Sequence, residues 1–395
     1  MARLTQDPTP HESRQRDGWV DLDVDTAIAI LGDAWTRLNE TAATPPTMDP
    51  LWHQVYWRAF GASGADVRVH ALCAEDGVAA VFPVRETGRI VRRLASGVNG
   101  HTPYRTFSLA RSPHVAARAL DHLMASIDML DLGPADARAP EVDALVSAAH
   151  RRGLHVSRDA RGADAVIDLP ASWAELRRSL GAKLVGNTTR RLRHLRERGR
   201  VDFDVVGSGP DLPRVLEECF ALETLGWKGR RGSPIRSRPD TLQFYSELAA
   251  AAAATGRLAL YTLRLNSTLI AFEYCLRHND RIDLLKESYN PEFSRYSPGS
   301  VLRLLLLQRE IESGRARRYH IGQVSEWKQR WATRQEPCCH LRIYQPGLRG
   351  TLAYLVRSWI PGRARRQPVV RATARWVLGR LHEICFVVAV AEYAW

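Results

Sequence analysis

Tyr261-Thr-Leu-Arg-Leu265, Ile270-Ala-Phe-Glu-Tyr-Cys-Leu276, Ile282-Asp-Leu-Leu-Lys-Glu-Ser-Tyr289 and Ser297-Pro-Gly-Ser-Val-Leu-Arg-Leu-Leu-Leu-Leu307 follow one another closely in this chain. The first three runs are strand-like, and the short polar connections between them are typical of antiparallel hairpins. The third run ends at Asn290-Pro291, and the fourth begins with a serine followed by a proline, the preferred order at a helix start. The sequence therefore predicts a three-stranded meander that leads into a helix.

The start of this predicted helix is a candidate anion site. The first amides of a helix, here those of Gly299, Ser300 and Val301, lack partners within the helix. The helix dipole adds partial positive charge at the same place. We therefore expect Arg295, Gly299 and Ser300 to bind the phosphate or carboxylate of a donor substrate.

Four sequence blocks, in order, carry a resemblance to a known family. They are Leu225-Gly-Trp-Lys-Gly-Arg-Arg-Gly-Ser233, Leu284-Leu-Lys-Glu-Ser-Tyr-Asn-Pro-Glu-Phe293, Ser297-Pro-Gly299 and Trp327-Lys-Gln-Arg-Trp-Ala332. The series resembles the GNAT-type acyltransferases, and in particular the Fem-like and CelD-like branch, which is built from two such folds in tandem. In the first half of the chain the resemblance rests on Pro50-Leu-Trp52, Trp57-Arg-Ala-Phe-Gly61 and Asp168-Leu-Pro170.

The resemblance implies a mixed α/β fold with two tandem GNAT-like domains, and a length of 395 residues suits two domains. The expected division is a disordered tail at 1–18, an N-terminal GNAT-like domain at 19–170, a basic linking helix at 171–200, a C-terminal catalytic GNAT-like domain at 201–345 and a basic helical extension at 346–395. The tail carries no apolar segment typical of an export signal, so we expect a cytoplasmic protein.

The formal net charge of +13 is the unusual feature of the composition. Positive charge of this size favours polyanionic partners, such as nucleic acid, a membrane surface or a pyrophosphate-bearing small molecule. The alternative is that an arginine-rich composition accounts for part of the charge without such a partner. The six cysteines include no pair at zinc-binding spacing, so no metal site is expected.

The linking segment begins with a capping box, Ser172-Trp-Ala-Glu175, and its leucines keep a helical period, which predicts one long helix. Its polar face carries seven cations against a single acid, Glu197. The cations are Lys183, Arg190, Arg191, Arg193, Arg196, Arg198 and Arg200. Because like charges repel one another, we expect Arg190 and Arg191 to contact a polyanionic substrate; a solvated face with counterions is the alternative.

Two loops are candidate substrate sites. Trp227 and Lys228 belong to a segment in which glycines alternate with cations, so it can fold around an anion while the ring stacks on a base or sugar. The segment 97–105 contains a histidine, a tyrosine and an arginine. The family resemblance implies that such a loop lines the acceptor cleft; a surface loop without a role is the alternative.

Acyl transfer to an amine needs a base for the amine proton, donors for the tetrahedral oxyanion and a proton for the leaving group. Glu273 is the only acid in its apolar run, and such surroundings raise a carboxyl pKa toward the range useful for a base. Glu287 and Tyr289 alternate onto one face of the next strand, whereas Lys286 falls on the other. We expect catalysis to use Glu273 or the Glu287 and Tyr289 pair, with Lys286 and Lys328 binding charge near the reacting carbonyl.

The expected function is transfer of an acyl group, with acetyl as the leading case, from acyl-CoA to an amine of a small molecule or cell-envelope precursor, without a tightly bound cofactor. The segment 295–300 departs from the pyrophosphate loop of acetyl-CoA-using relatives, because Pro298 and Ser300 stand at glycine positions. This departure leaves open an aminoacyl-tRNA-dependent transferase of the Fem-like kind. A third alternative is a non-catalytic subunit in polysaccharide synthesis.

The segment 346–395 is basic and rich in aromatic residues. Its last apolar run, Ile384–Ala391, is far shorter than the roughly 20 residues that a membrane-spanning helix needs. We expect the extension to pack across the fold, and the alternative is peripheral contact with an anionic membrane.

Overall fold

The computed structural model describes residues 18–41, 44–61, 67–75, 77–96, 99–102, 107–226 and 235–360. Within these residues there are thirteen strands. They are β1 (Trp19–Leu22), β2 (Val67–Ala74), β3 (Gly77–Thr87), β4 (Arg93–Ser96), β5 (Ser108–Leu109), β6 (Met129–Asp136), β7 (His155–Asp168), β8 (Val201–Val206), β9 (Leu258–Leu265), β10 (Thr268–His278), β11 (Arg281–Tyr289), β12 (Arg318–Gln323) and β13 (Arg334–Tyr344).

The α-helices of the described residues connect these strands. They are α1 (Val24–Thr41), α2 (Pro50–Phe60), α3 (Pro113–Leu123), α4 (Pro140–Arg151), α5 (Trp173–Leu180), α6 (Ala182–Arg196), α7 (Leu212–Leu225), α8 (Pro239–Ala254), α9 (Pro298–Ser313), α10 (Glu326–Gln329) and α11 (Leu348–Tyr354). Short 3-10 turns lie at Pro46–Met48, Ile235–Ser237 and Pro291–Tyr296, and a π-helical turn follows at Leu355–Trp359.

All thirteen strands of the described residues join one mixed sheet, in the order β1-β2-β3-β4-β6-β13-β7-β12-β11-β10-β9-β8, with β5 paired to β3. Only two neighbouring pairs among them are parallel, β4 with β6 and β11 with β12. The prediction of a mixed α/β fold is therefore confirmed.

The two halves of the chain are interleaved within this sheet. Strand β13 comes last in sequence, yet it lies between β6 and β7 and pairs with both. Helix α2 of the first half packs with α8 of the second, where the rings of Trp52 and Tyr56 meet Phe244 edge-on. The expected boundaries at 170 and 201 therefore do not separate two independent cores, and the division into tandem units stays a prediction.

The predicted meander and the helix after it are present. Strands β9, β10 and β11 pair antiparallel in sequence order. The β9–β10 turn places Asn266 (φ 49°) and Ser267 (φ 69°) in the left-handed region, as tight hairpin turns require. Helix α9 then buries Leu304, Leu306 and Leu307 against the sheet.

The prediction of one long linking helix is wrong, because the segment forms two helices separated at Gly181. This residue has φ 82° and ψ 140°, a conformation that glycine adopts readily and that ends α5. The predicted cap is present, since the Ser172 hydroxyl accepts from the Glu175 amide at 3.3 Å. Both helices bury leucines in the core beneath α9, so the segment belongs to the packed fold.

The described part of the C-terminal extension packs on the first half of the sheet. The ring of Tyr354 stacks on His155 with centroids 4.9 Å apart, and the Tyr344 and Ser358 hydroxyls lie 2.8 Å apart. Residues 361–395, with the run Ile384–Ala391, lie outside the described residues, as does the tail 1–17. Among the helices that the structure describes, none is long and apolar enough to cross a bilayer.

Candidate active site

The most distinctive backbone feature is a gap between the parallel strands β11 and β12. Their pairing consists of three residue pairs, from Arg281 with Arg318 to Asp283 with His320. Beyond these pairs β11 continues to Tyr289, whereas β12 shifts register against β7 and passes through Gly322, which has φ 76°. Parallel strands that separate in this way leave an opening between them at their carboxyl ends.

A buried arginine forms the floor of this gap. Arg303 of α9, which is 2% exposed, donates to Glu273 and also to Oε2 of Glu287 at 2.8 Å. The Tyr319 hydroxyl donates to the second oxygen of Glu273. Glu273 and Glu287 are register partners on neighbouring strands, so their side chains share the face that α9 covers. The two acids that the sequence singled out are therefore joined through Arg303.

The two carboxylates differ in their access to solvent. Glu273 is 1% exposed, and burial raises its pKa although Arg303 acts in the opposite direction. The Glu287 side chain is 31% exposed and lies at the edge of the cluster. For Arg303, burial acts to lower the pKa, but the nearby carboxylates outweigh it and hold the pKa above its ordinary value. The buried Glu273 thus holds Arg303 in place, and the more exposed Glu287 is the acid that a substrate can reach.

Helix α10 covers the mouth of the gap. The guanidinium carbon of Arg303 lies 4.6 Å from the ring centroid of Trp327, and the Lys328 Nζ lies 5.5 Å from the same centroid. Burial lowers the pKa of Lys328, and Arg303 lowers it further, while Glu287 raises it. A Cβ added to Gly322 would lie 3.4 Å from the Lys328 Nζ, so the amine sits directly over the β12 backbone. Lys328 thereby joins Glu287 at the gap.

Asp164 on β7 is a candidate residue that the sequence reasoning missed. Burial raises its pKa to about 6, with Lys328 acting in the opposite direction. The Cys338 thiol donates to its Oδ2 at 3.3 Å. In the sequence, Asp164 could have been recognised as the single acid between alanines in the run 163–167. Only the strand pairing, however, places it near α10.

The predicted donor site lies beside the same gap. A Cβ on Gly299 would lie 3.9 Å from Cδ1 of Tyr289, whose side chain is exposed. The expectation of free amides is wrong in part, because Ser300 and Val301 both donate to the Ser297 carbonyl, at 2.9 and 3.1 Å. Ser297 itself is in the left-handed region and makes no side-chain cap. The amides of Ser300 and Val301 are therefore bonded within the first turn, and the half-buried Gly299 lies next to Tyr289.

Arg295 is exposed just before this turn, with its guanidinium carbon 4.6 Å from the ring centroid of Tyr296. Arg198, in the turn after α6, also holds Tyr296, because it donates to the Tyr296 hydroxyl at 3.1 Å. Arg295 is thus available to an anion at the helix start.

Lys286 lies on the opposite face of the sheet from Glu287. Its Nζ is 5.0 Å from the ring centroid of Tyr245, whose hydroxyl is 3.2 Å from Nδ1 of His101. Burial lowers the pKa of His101 to about 4, and Lys286 adds to that shift. A Cβ on Gly226 would lie 3.6 Å from the Ser288 hydroxyl on this same face. The structure therefore does not bring Lys286 together with the Glu287 cluster.

The remaining predicted residues lie elsewhere. Trp227 and Lys228 fall in 227–234, outside the described residues. Arg190 is exposed on α6 and Arg191 is half-buried there, and α6 packs on α9. Within the described residues no group of histidine, cysteine and acidic side chains is arranged to hold a metal.

Comparison with protein families gives one match. Residues 182–329, less than half of the chain, match the acetyltransferase (GNAT) domain family. The matched range contains α6, the meander, α9 and α10, and so includes the gap and its charged floor. No match was found among curated protein sequences.

Solved structures with a similar fold include FemX, with 10% identity and a TM-score of 0.56 over 82% of this chain and 98% of that one. The C-terminal domain of a candidate lysylphosphatidylglycerol synthetase from Agrobacterium fabrum has 13% identity and a TM-score of 0.50 over 82% and 96%. A protein of unknown function from Bacteroides thetaiotaomicron VPI-5482 has 11% identity and a TM-score of 0.50 over 84% and 100%. At these identities the likeness is one of fold.

Together these comparisons confirm the resemblance to the GNAT superfamily, with a fold like that of FemX. The chain carries an acyltransferase-type domain at 182–329.

Proposed function

We propose, from the GNAT domain at residues 182–329, that this protein transfers an acyl group to an amine, with the reacting carbonyl in the gap between β11 and β12. The observation that carries the proposal is the half-exposed Glu287, held by Arg303 at 2.8 Å, at the place where the two strands separate. A carboxylate that is held in place by an arginine and partly exposed to solvent suits a general base.

In this proposal Glu287 accepts a proton from the acceptor ammonium, and the freed nitrogen attacks the acyl carbon. The new C–N bond forms as the carbonyl oxygen becomes an oxyanion, which the Lys328 ammonium stabilises. The bond to the leaving group then breaks, and the Tyr289 hydroxyl supplies the proton that the leaving group takes. As the amide forms, the remaining extra proton on the nitrogen passes to the Tyr289 phenolate, and Glu287 releases its proton to solvent. The products are therefore an amide, the protonated leaving group and one proton in solvent.

We propose acyl-CoA as the donor, with its pyrophosphate near Arg295 and the Gly299 edge of α9. This position supports the proposal because it lies beside Tyr289, at one end of the gap. No tightly bound cofactor enters the reaction.

The acceptor side is proposed on the opposite face, where His101, Tyr245 and Lys286 lie together. The segment with Trp227 and Lys228 follows directly after Gly226, which approaches Ser288 on this face. A small-molecule amine or envelope precursor that carries an acidic group would complement Lys286. Arg190 and Arg191 do not belong to this face.

An aminoacyl-tRNA donor is the second candidate, and the exposed arginines of α6 are the observation that favours it. The fold likeness to FemX and to a candidate lysylphosphatidylglycerol synthetase accords with aminoacyl transfer, for which the second name implies a lipid acceptor. Peripheral membrane contact through the C-terminal extension would fit such an acceptor. With this donor the leaving group at the gap is a ribose hydroxyl and the chemistry of Glu287 is unchanged.

The test is a pair of assays on the full chain. Thiol release is followed with a panel of acyl-CoA donors and amines, and product formation is followed with labelled aminoacyl-tRNA. Glu287→Gln should lower turnover by about 100- to 10,000-fold in whichever assay is active, with little change in thermal midpoint. Glu326→Gln is the matched control, because this acid of α10 is exposed and pairs with Arg330 at 2.8 Å, on the same helix side.

Full turnover of Glu287→Gln would refute the role of this carboxylate. If wild-type protein uses neither donor class and binds both without turnover, the non-catalytic alternative replaces the proposal. An aminoacyl-tRNA requirement would instead keep the gap chemistry and overturn the acyl-CoA assignment.

A further inference from the structure

A basic pocket lies on the outer side of α9, away from the gap. Its volume is about 470 Å³, and it is formed where α5, α6 and α9 meet. The lining residues are Trp173, Arg177, Val185, Gly186, Thr189, Arg190, Arg193 and Gln308. This volume lies within the range of about 300–1,000 Å³ that is usual for small-molecule sites.

The pocket is distinct from the proposed reaction centre. Gln308 and Arg303 are five positions apart on α9, which places them about 140° apart around the helix axis. Arg303 faces the strands and the gap, so Gln308 points to a different side. Neither the predicted donor residues nor the His101 face contributes to the lining.

The charge of the pocket is concentrated and of one sign. Arg177 comes from α5, and Arg190 and Arg193 come from α6, while none of the lining residues is acidic. Arg193 lies 3.7 Å from Glu197, which is outside the pocket, and Arg190 donates to Asn187 at 3.2 Å. Guanidinium groups from two helices that converge on one concave site match the geometry of a phosphate group.

Gly186 is a second observation that points to a ligand. It lies in the interior of α6, where glycine is unfavourable for the helix. A Cβ added to it would meet no atom within 4 Å, so packing within the described residues does not require glycine there. Gly186, Arg190 and Arg193 are spaced by four and three residues and therefore share one face. Gly186 lines the pocket, so its missing side chain leaves room there.

We propose that this pocket binds the phosphate or diphosphate of a small organic ligand, whose apolar part lies against Trp173 and Val185. The site is separate from the acyl-CoA and acceptor sites proposed above. The arginines Arg178 and Arg196 lie on the same two helices and do not line the pocket. An RNA backbone would contact arginines outside the pocket as well. Because the proposed contacts lie within one concave site, a small phosphorylated ligand is favoured over RNA.

The test is titration calorimetry of the full chain with inorganic pyrophosphate, at an ionic strength held constant with sodium chloride. We expect one binding site per chain. Arg190→Gln should weaken binding about tenfold or more, because it removes a charge-assisted hydrogen bond. Gly186→Leu should weaken binding strongly by occupying the part of the pocket next to Arg190, while circular dichroism shows a folded chain. Arg178→Gln and Arg196→Gln are matched controls and should stay within about twofold of wild type.

Two probes separate the sources of the phosphate. Gly186→Leu is compared with wild type for binding to ADP and for sedimentation with vesicles of phosphatidylcholine and phosphatidylglycerol at a 7:3 ratio. Loss of vesicle binding alone identifies a lipid headgroup, and loss of ADP binding alone identifies a soluble phosphorylated ligand.

Three outcomes overturn the proposal. One is the absence of pyrophosphate binding to wild type at millimolar concentration. Another is equal binding to Gly186→Leu and wild type. The third is an equal loss in Arg178→Gln, Arg196→Gln and Arg190→Gln, which would show a diffuse charge effect over α5 and α6, as for RNA. Failure of acyl transfer in the earlier assays would leave this result unaffected, because calorimetry requires no turnover.

Discussion

Replacement of Arg303 by methionine tests whether the charged floor organises the second half of the fold. The variant keeps most of the side-chain volume and leaves the carboxylate of Glu273 buried without its guanidinium partner. Breaking one side of a buried ion pair costs about 3–5 kcal/mol, because the remaining charge is uncompensated. The loss at Glu287 is small by comparison, about 0–1 kcal/mol, since that side chain is partly solvated. We therefore expect the free energy of unfolding to fall by about 3–5 kcal/mol.

The assay is equilibrium urea unfolding, with Arg309→Met as the control on the exposed side of the same helix. The control should stay within about 0.5 kcal/mol of wild type. Adding Glu273→Gln to Arg303→Met should restore at least half of the lost stability, because the buried charge is then gone. The deficit should also depend on pH. Without Arg303 the already raised pKa of Glu273 rises further. The deficit is therefore smallest at pH values where Glu273 is protonated in both folded proteins, and it grows as the pH rises through the raised folded pKa of wild-type Glu273.

A loss below about 1 kcal/mol at pH 7 would refute this reasoning, as would a double variant no more stable than Arg303→Met alone. Either result would mean that solvent reaches Glu273 and that Arg303 contributes to stability through packing and not through its charge.

Further predictions concern groups around the site and the linking helices. The free energy of unfolding of Asp164→Asn, relative to wild type, should increase by about 1–3 kcal/mol as the pH is raised from 4 to 7. The reason is that the pKa of Asp164 is raised to about 6 in the folded chain, so its ionisation destabilises the wild type as the pH rises. Urea unfolding at both pH values checks this. Gly181→Ala should destabilise the fold by about 1–3 kcal/mol because residue 181 has a positive φ, whereas Gly186→Ala, in a helix interior, should stabilise it by about 0.5–1 kcal/mol. Thermal midpoints that shift in the same direction in both variants would contradict this backbone argument. Lys328→Arg should extend activity to higher pH in a pH–rate profile, because burial lowers the pKa of Lys328; an unmoved alkaline limb would remove Lys328 from the oxyanion role.

Local sequence signals were sufficient where the structure is locally determined. Polar pairs such as Asn266-Ser267 fixed the hairpins, and alternation placed Glu287 and Tyr289 on one face and Lys286 on the other. The same signals failed at Gly181, because apolar residues continue the helical period on both sides of it while a single backbone conformation interrupts the helix.

The charged floor could not be predicted, because its partners are distant in sequence. Arg303 occurs in a run of leucines, where a lone cation is usually solvated at its tip, and only the register of β10 with β11 places Glu273 and Glu287 beside it. Asp164 likewise gains its surroundings from β13 and α10. The surroundings of Arg303 and of Asp164 both depend on the long-range order of the strands, which sequence periodicity does not encode.

The position of β13 has a consequence for how the chain is made. Strands β6 and β7 leave the ribosome early, but the strand that lies between them begins only at Arg334, which is 166 residues after Asp168 (334 − 168). At about 5–20 residues per second, this interval lasts on the order of 10–30 s. For most of it β6 lacks its partner on one side and β7 lacks partners on both sides, because β12 begins only at Arg318. Unpaired strand edges are templates for pairing with other chains. Synthesis of this protein therefore includes a long period in which strands of the first half lack the partners that they have in the folded chain.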